Sequence, residues 1–335
     1  MSARSRVPFL AAAVQASPVF LDRDATVAKA CDLLSDAARQ GARLAVFPEA
    51  FVPAYPDWVW ALRPREGREL GGLYAELLAN AVDVPGPVTE QLGAAARAAK
   101  AYLVIGVNER NAEASGTSLF NTLLTFDDTG RLIGRHRKLV PTAAERLVWA
   151  AGDGSTFGVL DTALGKLAGL ICWENYMPLA RYALIAWGAE ILCSPTWDKS
   201  DTWLASLRHI ANEGCWWVIG CCQALRVADI PERHGFRALY PEGRTWINVG
   251  NSAIVDPDGK FVAGPLAEAE GVLLAEIDPA HGARSRRMLD VAGHYARPDV
   301  FQLTVRRSSR PMIVEATWPE EESVPGTRTP DPADA

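Results

Sequence analysis

The feature that most constrains this chain is a repeated alternation of short apolar runs with amphipathic stretches at helical spacing. Residues 9–14 are small and aliphatic, fit for a buried strand, with Pro8 at the entrance. Residues 24–40 then carry Val27, Ala30, Leu33, Leu34 and Ala37 on one helical face, and Gly41 stands where a terminator belongs. A further apolar run, 44–47, is stopped by Pro48 just before Glu49. The pattern repeats as a helix over 88–100 and a strand over 102–107. A hairpin follows, with arms at 118–126 and 131–137 and the turn Asp127-Asp128-Thr129-Gly130. Strands at 166–172, 190–194 and 216–222 are separated by helices at 178–187 and 202–213. A last hairpin joins 251–256 to 261–263 around Pro257-Asp258-Gly259.

Such interleaving predicts a layered α/β architecture, and the hairpins among the βα units make its sheets mixed. No linker divides the chain, so residues 1–318 are expected to form one domain. Residues 319–335, dominated by Glu, Pro, Thr and Asp, are expected to be a disordered tail. The charged stretch 226–244 lacks periodicity, which suggests a mobile loop or an interaction surface.

Composition removes several classes of function. A net charge of −6 offers no basic footprint for nucleic acid or anionic lipid. No apolar run approaches the roughly 18 residues of a membrane-spanning helix. Arg4 and Arg6 before an apolar run imitate a signal peptide weakly, but the run is short and ends at Gln15. The six cysteines, at 31, 172, 193, 215, 221 and 222, show no CxxC pair and no zinc-ligand spacing. Free thiols fit a reducing, cytoplasmic setting, and no structural metal is expected. Neither a GxGxxG nor a Walker-type loop follows a strand, so nucleotide cofactors have no support either.

Three segments share one design, a strand that ends in a polar residue able to react. Glu49 follows the run Leu44-Ala-Val-Phe-Pro; partial desolvation there would raise its pKa and suit it to act as a base near neutrality. Lys138 ends Gly134-Arg-His-Arg-Lys138, and Glu145 lies seven residues on, able to pair with it or to handle protons. Cys172 follows Leu167-Ala-Gly-Leu-Ile and precedes a helix, a site-forming position in α/β folds. Taken singly, each has a plainer reading: a capping glutamate, a solvated basic strand, a core cysteine. His136, two residues before Lys138, is read as structural.

Together the segments are far more specific. Glu, Lys, Glu and Cys in this order, within FPEAF, HRKLVPTAAER and CWENYMPLAR, resemble the nitrilase branch of the carbon–nitrogen hydrolase superfamily. NVGNS at 248–252 and GHYARPDVF at 293–301 resemble it too, so the likeness covers about residues 9–305. The resemblance implies a four-layer αββα sandwich and a catalytic set of Glu49, Lys138, Glu145 and Cys172. It implies a cofactor-free attack of the Cys172 thiol on a nitrile carbon, with Lys138 and a backbone N–H near Trp173 stabilising charge on nitrogen. It also implies homodimers able to extend into spiral oligomers. Tyr55, Trp149, Trp173, Tyr176 and Trp197 lie near these segments and could line a pocket for an aryl, arylalkyl or medium aliphatic nitrile, or could pack the core. The rival readings are an amidase or carbamoylase of the same superfamily and a non-catalytic scaffold. Trp173-Glu174-Asn175 after the cysteine favours nitriles, and retention of all the reactive residues disfavours the scaffold.

Overall fold

The first strand, β1 (Phe9–Gln15), shows why the chain layers as it does. Ala11 and Ala13 face one apolar interior, and Ala12 and Val14 face another. A strand buried on both faces must read as a near-continuous apolar run, which is how it reads in the sequence.

The computed structural model describes residues 7–309 apart from Pro64. After β1 come α1 (Arg23–Arg39), β2 (Ala42–Val46), α2 (Trp58–Ala61) and α3 (Gly67–Ala79). Next are α4 (Pro87–Ala99), β3 (Tyr102–Arg110), β4 (Leu119–Phe126) and β5 (Leu132–Arg137). The second half opens with β6 (Val159–Thr162), β7 (Gly165–Gly169), α5 (Pro178–Ala186) and β8 (Ile191–Thr196). It continues through α6 (Asp201–Gly214), β9 (Trp217–Cys222), β10 (Ala224–Arg226) and β11 (Trp246–Val255). The described elements end with β12 (Phe261–Ala267), β13 (Gly271–Ile277) and α7 (Pro279–Arg286).

Two mixed sheets result. The first runs β13-β1-β2-β3-β4-β5, with β1, β2 and β3 parallel and the outer strands antiparallel. The second runs β10-β11-β9-β8-β7-β6, with β12 paired to β11 and with β7, β8 and β9 parallel. β13 returns from the second half to pair with β1, Phe9 opposite Ile277 and Gln15 opposite Gly271. The sheets meet face to face through Ala11, Ala13, Leu44, Val46 and Val104 on one side and Leu167, Ile191, Ile219 and Ile254 on the other. Val27, Leu34 and Ala37 of α1 and Leu92 and Ala96 of α4 cover the outer face of the first sheet. Ala183 and Leu184 of α5 and Leu207 and Ile210 of α6 cover the second. The order is helices, sheet, sheet, helices: the αββα sandwich.

Most elements fall where the apolar periodicity puts them. α1 gains a start signal from Asp22, whose carboxylate accepts the Ala25 N–H at 2.9 Å, and α6 gains one from Ser200, which accepts the Trp203 N–H at 3.1 Å. In the turn after β4, Asp127 Oδ1 accepts the N–H groups of Thr129 and Arg131, each at 3.0 Å. Six elements escape the sequence reading: α2, α3, β6, β10, β13 and α7. β6 and β13 are half-buried along most of their length, so their pattern is diluted. The strand expected over 166–172 is also corrected. β7 stops at Gly169, and Cys172 opens a separate 3₁₀ turn with φ of 53°. The stretch 226–244 contains two short 3₁₀ turns; Ile230 and Phe236 are buried in the cluster that holds Trp58 and Phe20, and the Phe236 ring packs on both of those rings. The tail at 319–335, like Arg4 and Arg6, lies outside the described residues. No helix among the described residues is long and apolar enough to cross a membrane.

Candidate active site

The loops that follow β2, β5, β7 and β8 converge beyond the carboxyl ends of the parallel strands, where open α/β sheets build their sites. Glu49 sits in the turn after β2, which can pass close over β3 because position 106 is glycine. A Cβ there would come within 2.4 Å of the Pro48 carbonyl and 2.5 Å of the Ala50 nitrogen. Lys138 follows β5, with its N–H bonded to the Asn121 carbonyl of β4 at 2.8 Å. Glu145 lies on the 3₁₀ turn Ala143–Leu147. Cys172 comes from the other sheet.

These side chains form one buried network. The Lys138 ammonium donates to Glu49 Oε1 at 2.8 Å and to Glu145 Oε2 at 2.7 Å, and all three side chains are almost wholly buried. Asn121 Nδ2 also donates to Glu49 Oε1, at 2.7 Å, while Gln223 Nε2 holds the Glu49 backbone carbonyl at 2.8 Å. Tyr55 OH donates to Glu145 Oε1 at 2.8 Å, and the Thr142 N–H donates to its Oε2 at 2.7 Å. Glu49 Oε2 is buried with no hydrogen-bond partner among the described residues. An acceptor so placed is ready for an incoming proton.

The cysteine is held as tightly. Asn175 Nδ2 donates to the carbonyls of Cys172 at 2.8 Å and Leu170 at 2.9 Å, and Ser194 Oγ donates to Asn175 Oδ1 at 2.9 Å. Thr196 Oγ1 donates to Cys172 Sγ at 3.3 Å. A non-glycine residue at positive φ persists only where its surroundings over-determine it, and these bonds supply that constraint. Glu174, two residues on, reaches the loop after β5: it accepts the Leu139 N–H at 2.6 Å and the Ile171 N–H at 2.7 Å, and pairs with His136 at 3.0 Å.

Electrostatics follow from burial. Burial pushes the Glu49 carboxyl up to about 7, against the pull of Lys138 and with a further push from Glu145. Burial also raises the Cys172 thiol, reinforced by Glu49 and opposed by Lys138, so the resting group is a neutral thiol. Burial works against the Lys138 ammonium, but Glu49, Cys172 and Glu145 outweigh it and hold it charged. The set is therefore a thiol, a base that titrates near neutrality and a fixed cation. This combination can form a covalent adduct at an electrophilic carbon while stabilising negative charge on its neighbour.

Comparison with known proteins agrees. Residues 10–287 match the family profile described as carbon-nitrogen hydrolase. An aliphatic nitrilase of Sinorhizobium fredii is 45% identical over 311 residues, 91% of this chain and 98% of that protein. A bifunctional nitrilase/nitrile hydratase of Nicotiana tabacum, NIT4B, is 43% identical, covering 94% and 91% of the two chains. The chain is a carbon–nitrogen hydrolase of the nitrilase branch. Among solved structures, Saccharomyces cerevisiae Nit3, a member of branch 10 of the nitrilase superfamily, superposes with a TM-score of 0.69 at 22% identity. That match covers 88% of this chain and 99% of Nit3, and it shows the fold.

The hydrolase has a cavity of about 850 Å³ whose lining includes Glu145 and Cys172. Three of the five aromatics expected at a substrate pocket line it: Tyr55, Trp173 and Trp197. Tyr55 and Trp197 stack with ring centroids 4.3 Å apart. The other two, Trp149 and Tyr176, do not line it. Trp149 packs edge-on behind Tyr55, drawn there by the bond from its Nε1 to Asn108 Oδ1 at 2.8 Å. Tyr176 points toward α6, edge-on to Trp203 and hydrogen-bonded to Ser206.

Sequence reasoning missed a further wall. Trp60, Leu239 and Tyr240 line the cavity, as does Asp57. Buried Asp57 accepts Trp197 Nε1 at 3.1 Å and the Tyr240 hydroxyl, tying the loop before α2 to the loop after β8 and to the 227–245 segment. Asn121, Gln223 and Thr196 left a readable signal, polar residues within or just beyond apolar strand runs; Tyr240, in an aperiodic loop, left none. Among the described residues, the group with metal-ligand spacing is Asp256, Asp258 and His281, and none of the three lines the cavity.

Proposed function

We propose that this carbon–nitrogen hydrolase converts an organic nitrile to the carboxylic acid and ammonia, with Cys172 as nucleophile. The observation that carries the reading is the Glu49–Lys138–Glu145 network at the Cys172 end of an aromatic-lined cavity. The Cys172 thiol gives its proton to Glu49 as sulfur bonds to the nitrile carbon, and the proton passes to the substrate nitrogen, leaving a thioimidate. Lys138 and the Trp173 N–H stabilise negative charge on that nitrogen as it develops. Glu49 then takes a proton from water as it adds to the thioimidate carbon, giving a tetrahedral adduct. Protonation of the amine expels ammonia and leaves a thioester, and a second water releases the acid and restores the thiol. Expulsion of the thiol from the tetrahedral adduct would instead yield the amide. Glu145 fixes Lys138 and assists proton transfer.

Tyr55, Trp60, Trp173 and Trp197 support aryl, arylalkyl or medium aliphatic nitriles as substrates. The same reading takes the two sheets, which share one interior, as a single catalytic domain. It places the protein in a reducing cytoplasm, in keeping with its reactive thiol. It also takes the working form to be a homodimer that can extend into a spiral. The test is ammonia release from phenylacetonitrile, benzonitrile, a dinitrile and cyanide, and from the matching amides, beside Cys172→Ala. Nitrile turnover should fall by about 10⁵-fold or more in the variant, as expected for loss of a nucleophile. Turnover of amides alone would overturn the assignment.

A further inference from the structure

Glu174 is fully buried, yet the reaction just described gives it no task. Capping the 3₁₀ turn that starts at Cys172 needs only its contact with the Ile171 N–H. Its second oxygen instead crosses to the other sheet and accepts the Leu139 N–H. Leu139 directly follows Lys138, and Ile171 directly precedes Cys172. Apart from this carboxylate and its His136 partner, no hydrogen bond joins residues 136–146 to residues 170–176 among the described residues. His136 Nε2 lies 3.2 Å from Oε1 and 3.0 Å from Oε2, so it braces the carboxylate across both oxygens.

We infer that Glu174, braced by His136, is a positioning residue that sets the Lys138 ammonium against the Cys172 thiol through their neighbouring backbone N–H groups. The inference rests on the nitrile-hydrolysis reading, in which both groups act on the same substrate atom pair. The chemistry requires glutamate. Both carboxylate oxygens accept, whereas glutamine offers one acceptor and must turn an N–H toward one of the two backbone donors. Aspartate is one methylene short of the span.

The experiment compares Glu174→Gln, His136→Ala and His136→Gln with the wild type by steady-state kinetics and by the rate of Cys172 alkylation with iodoacetamide. Misplacement of reacting groups by about 1 Å costs about 100-fold in rate, so Glu174→Gln should lower kcat by roughly that factor with KM changed less than about twofold. Alkylation of Cys172, which needs no substrate, should slow as well. The amide share of the product should rise, because Lys138 no longer meets the adduct nitrogen squarely. His136→Ala should show the same pattern more weakly, and His136→Gln, which restores an N–H donor, should recover much of the loss. The two His136 variants keep the carboxylate and decide the matter if Glu174→Gln does not fold. Folded variants with wild-type kcat, alkylation rate and product ratio would overturn the inference. If the wild type hydrolysed no nitrile, alkylation alone would still separate the positioning role from the assigned reaction.

Discussion

The two ends of the cavity are built on opposite principles. At the reactive end, Glu49, Lys138 and Glu145 are each 1% exposed or less and are held by several mutual bonds. At the mouth, Trp60 and Trp173 are 48% and 50% exposed, each with one indole hydrogen bond, to the Tyr55 hydroxyl and to Asp198. A buried ion network tolerates no loss of a partner, because the remaining charges stay desolvated. A half-exposed aromatic can be exchanged at little cost to the fold. The contrast implies that chemistry and substrate choice are separable in this enzyme: the first is fixed by the inner network, the second adjustable at the rim.

The most severe way to break that contrast is Lys138→Met. It removes the cation and leaves two buried carboxylates facing each other, so activity should fall about 10³-fold. Stability should drop by about 3–5 kcal/mol, read from denaturant unfolding. A variant of near wild-type stability would mean that the inner end is less tightly determined than its bonds imply.

Next in size is the pH dependence. In the proposed mechanism Glu49 must be ionised to accept the thiol proton, and its carboxyl is raised by burial from 4.5 to about 7. kcat/KM should therefore climb about tenfold per unit below pH 7 and level off above it. Stability should move the other way. Between pH 4.5 and about 7 the folded chain holds a proton on Glu49 that the unfolded chain has released. Glu49's contribution to stability is thus fully present below that window and is lost as pH rises through it. A flat kcat/KM profile from pH 5.5 to 8 would remove Glu49 from the role of base.

The smallest effect belongs to the rim. Trp173→Ala should raise KM for an arylalkyl nitrile by about three- to tenfold, the order of a partly buried apolar contact, and leave kcat for a short aliphatic nitrile nearly unchanged. An equal loss on both substrates would show that the rim is coupled to the chemistry and that the two ends are one device.

The candidate site was unevenly legible. Glu49 and Cys172 stand out because each ends an apolar run, and Lys138 because it closes a basic strand end, patterns that depend only on local sequence. The aromatics do not separate in that way. Trp149 and Trp197 read alike in the sequence, yet one packs behind Tyr55 and the other stacks on it at the cavity wall. Which side an indole takes depends on where Asn108 and Asp57 draw its N–H, and those residues arrive from distant segments. Tyr240 was invisible because the 227–245 segment takes its shape from packing on Phe20 and Trp58.

The sequence by itself determined the strands with two apolar faces, the helices between them, and hence the layering, because burial periodicity is written residue by residue. It also determined which ends of the strands would carry reactive groups. Only the tertiary structure decided that they would meet. Glu49 and Lys138 belong to one sheet and Cys172 to the other, so their approach depends on how the sheets pack and on the Glu174 carboxylate between their loops. The same packing set their protonation, since removal from water, which no local pattern encodes, lifts the Glu49 carboxyl to about 7 and keeps the cysteine a thiol at rest.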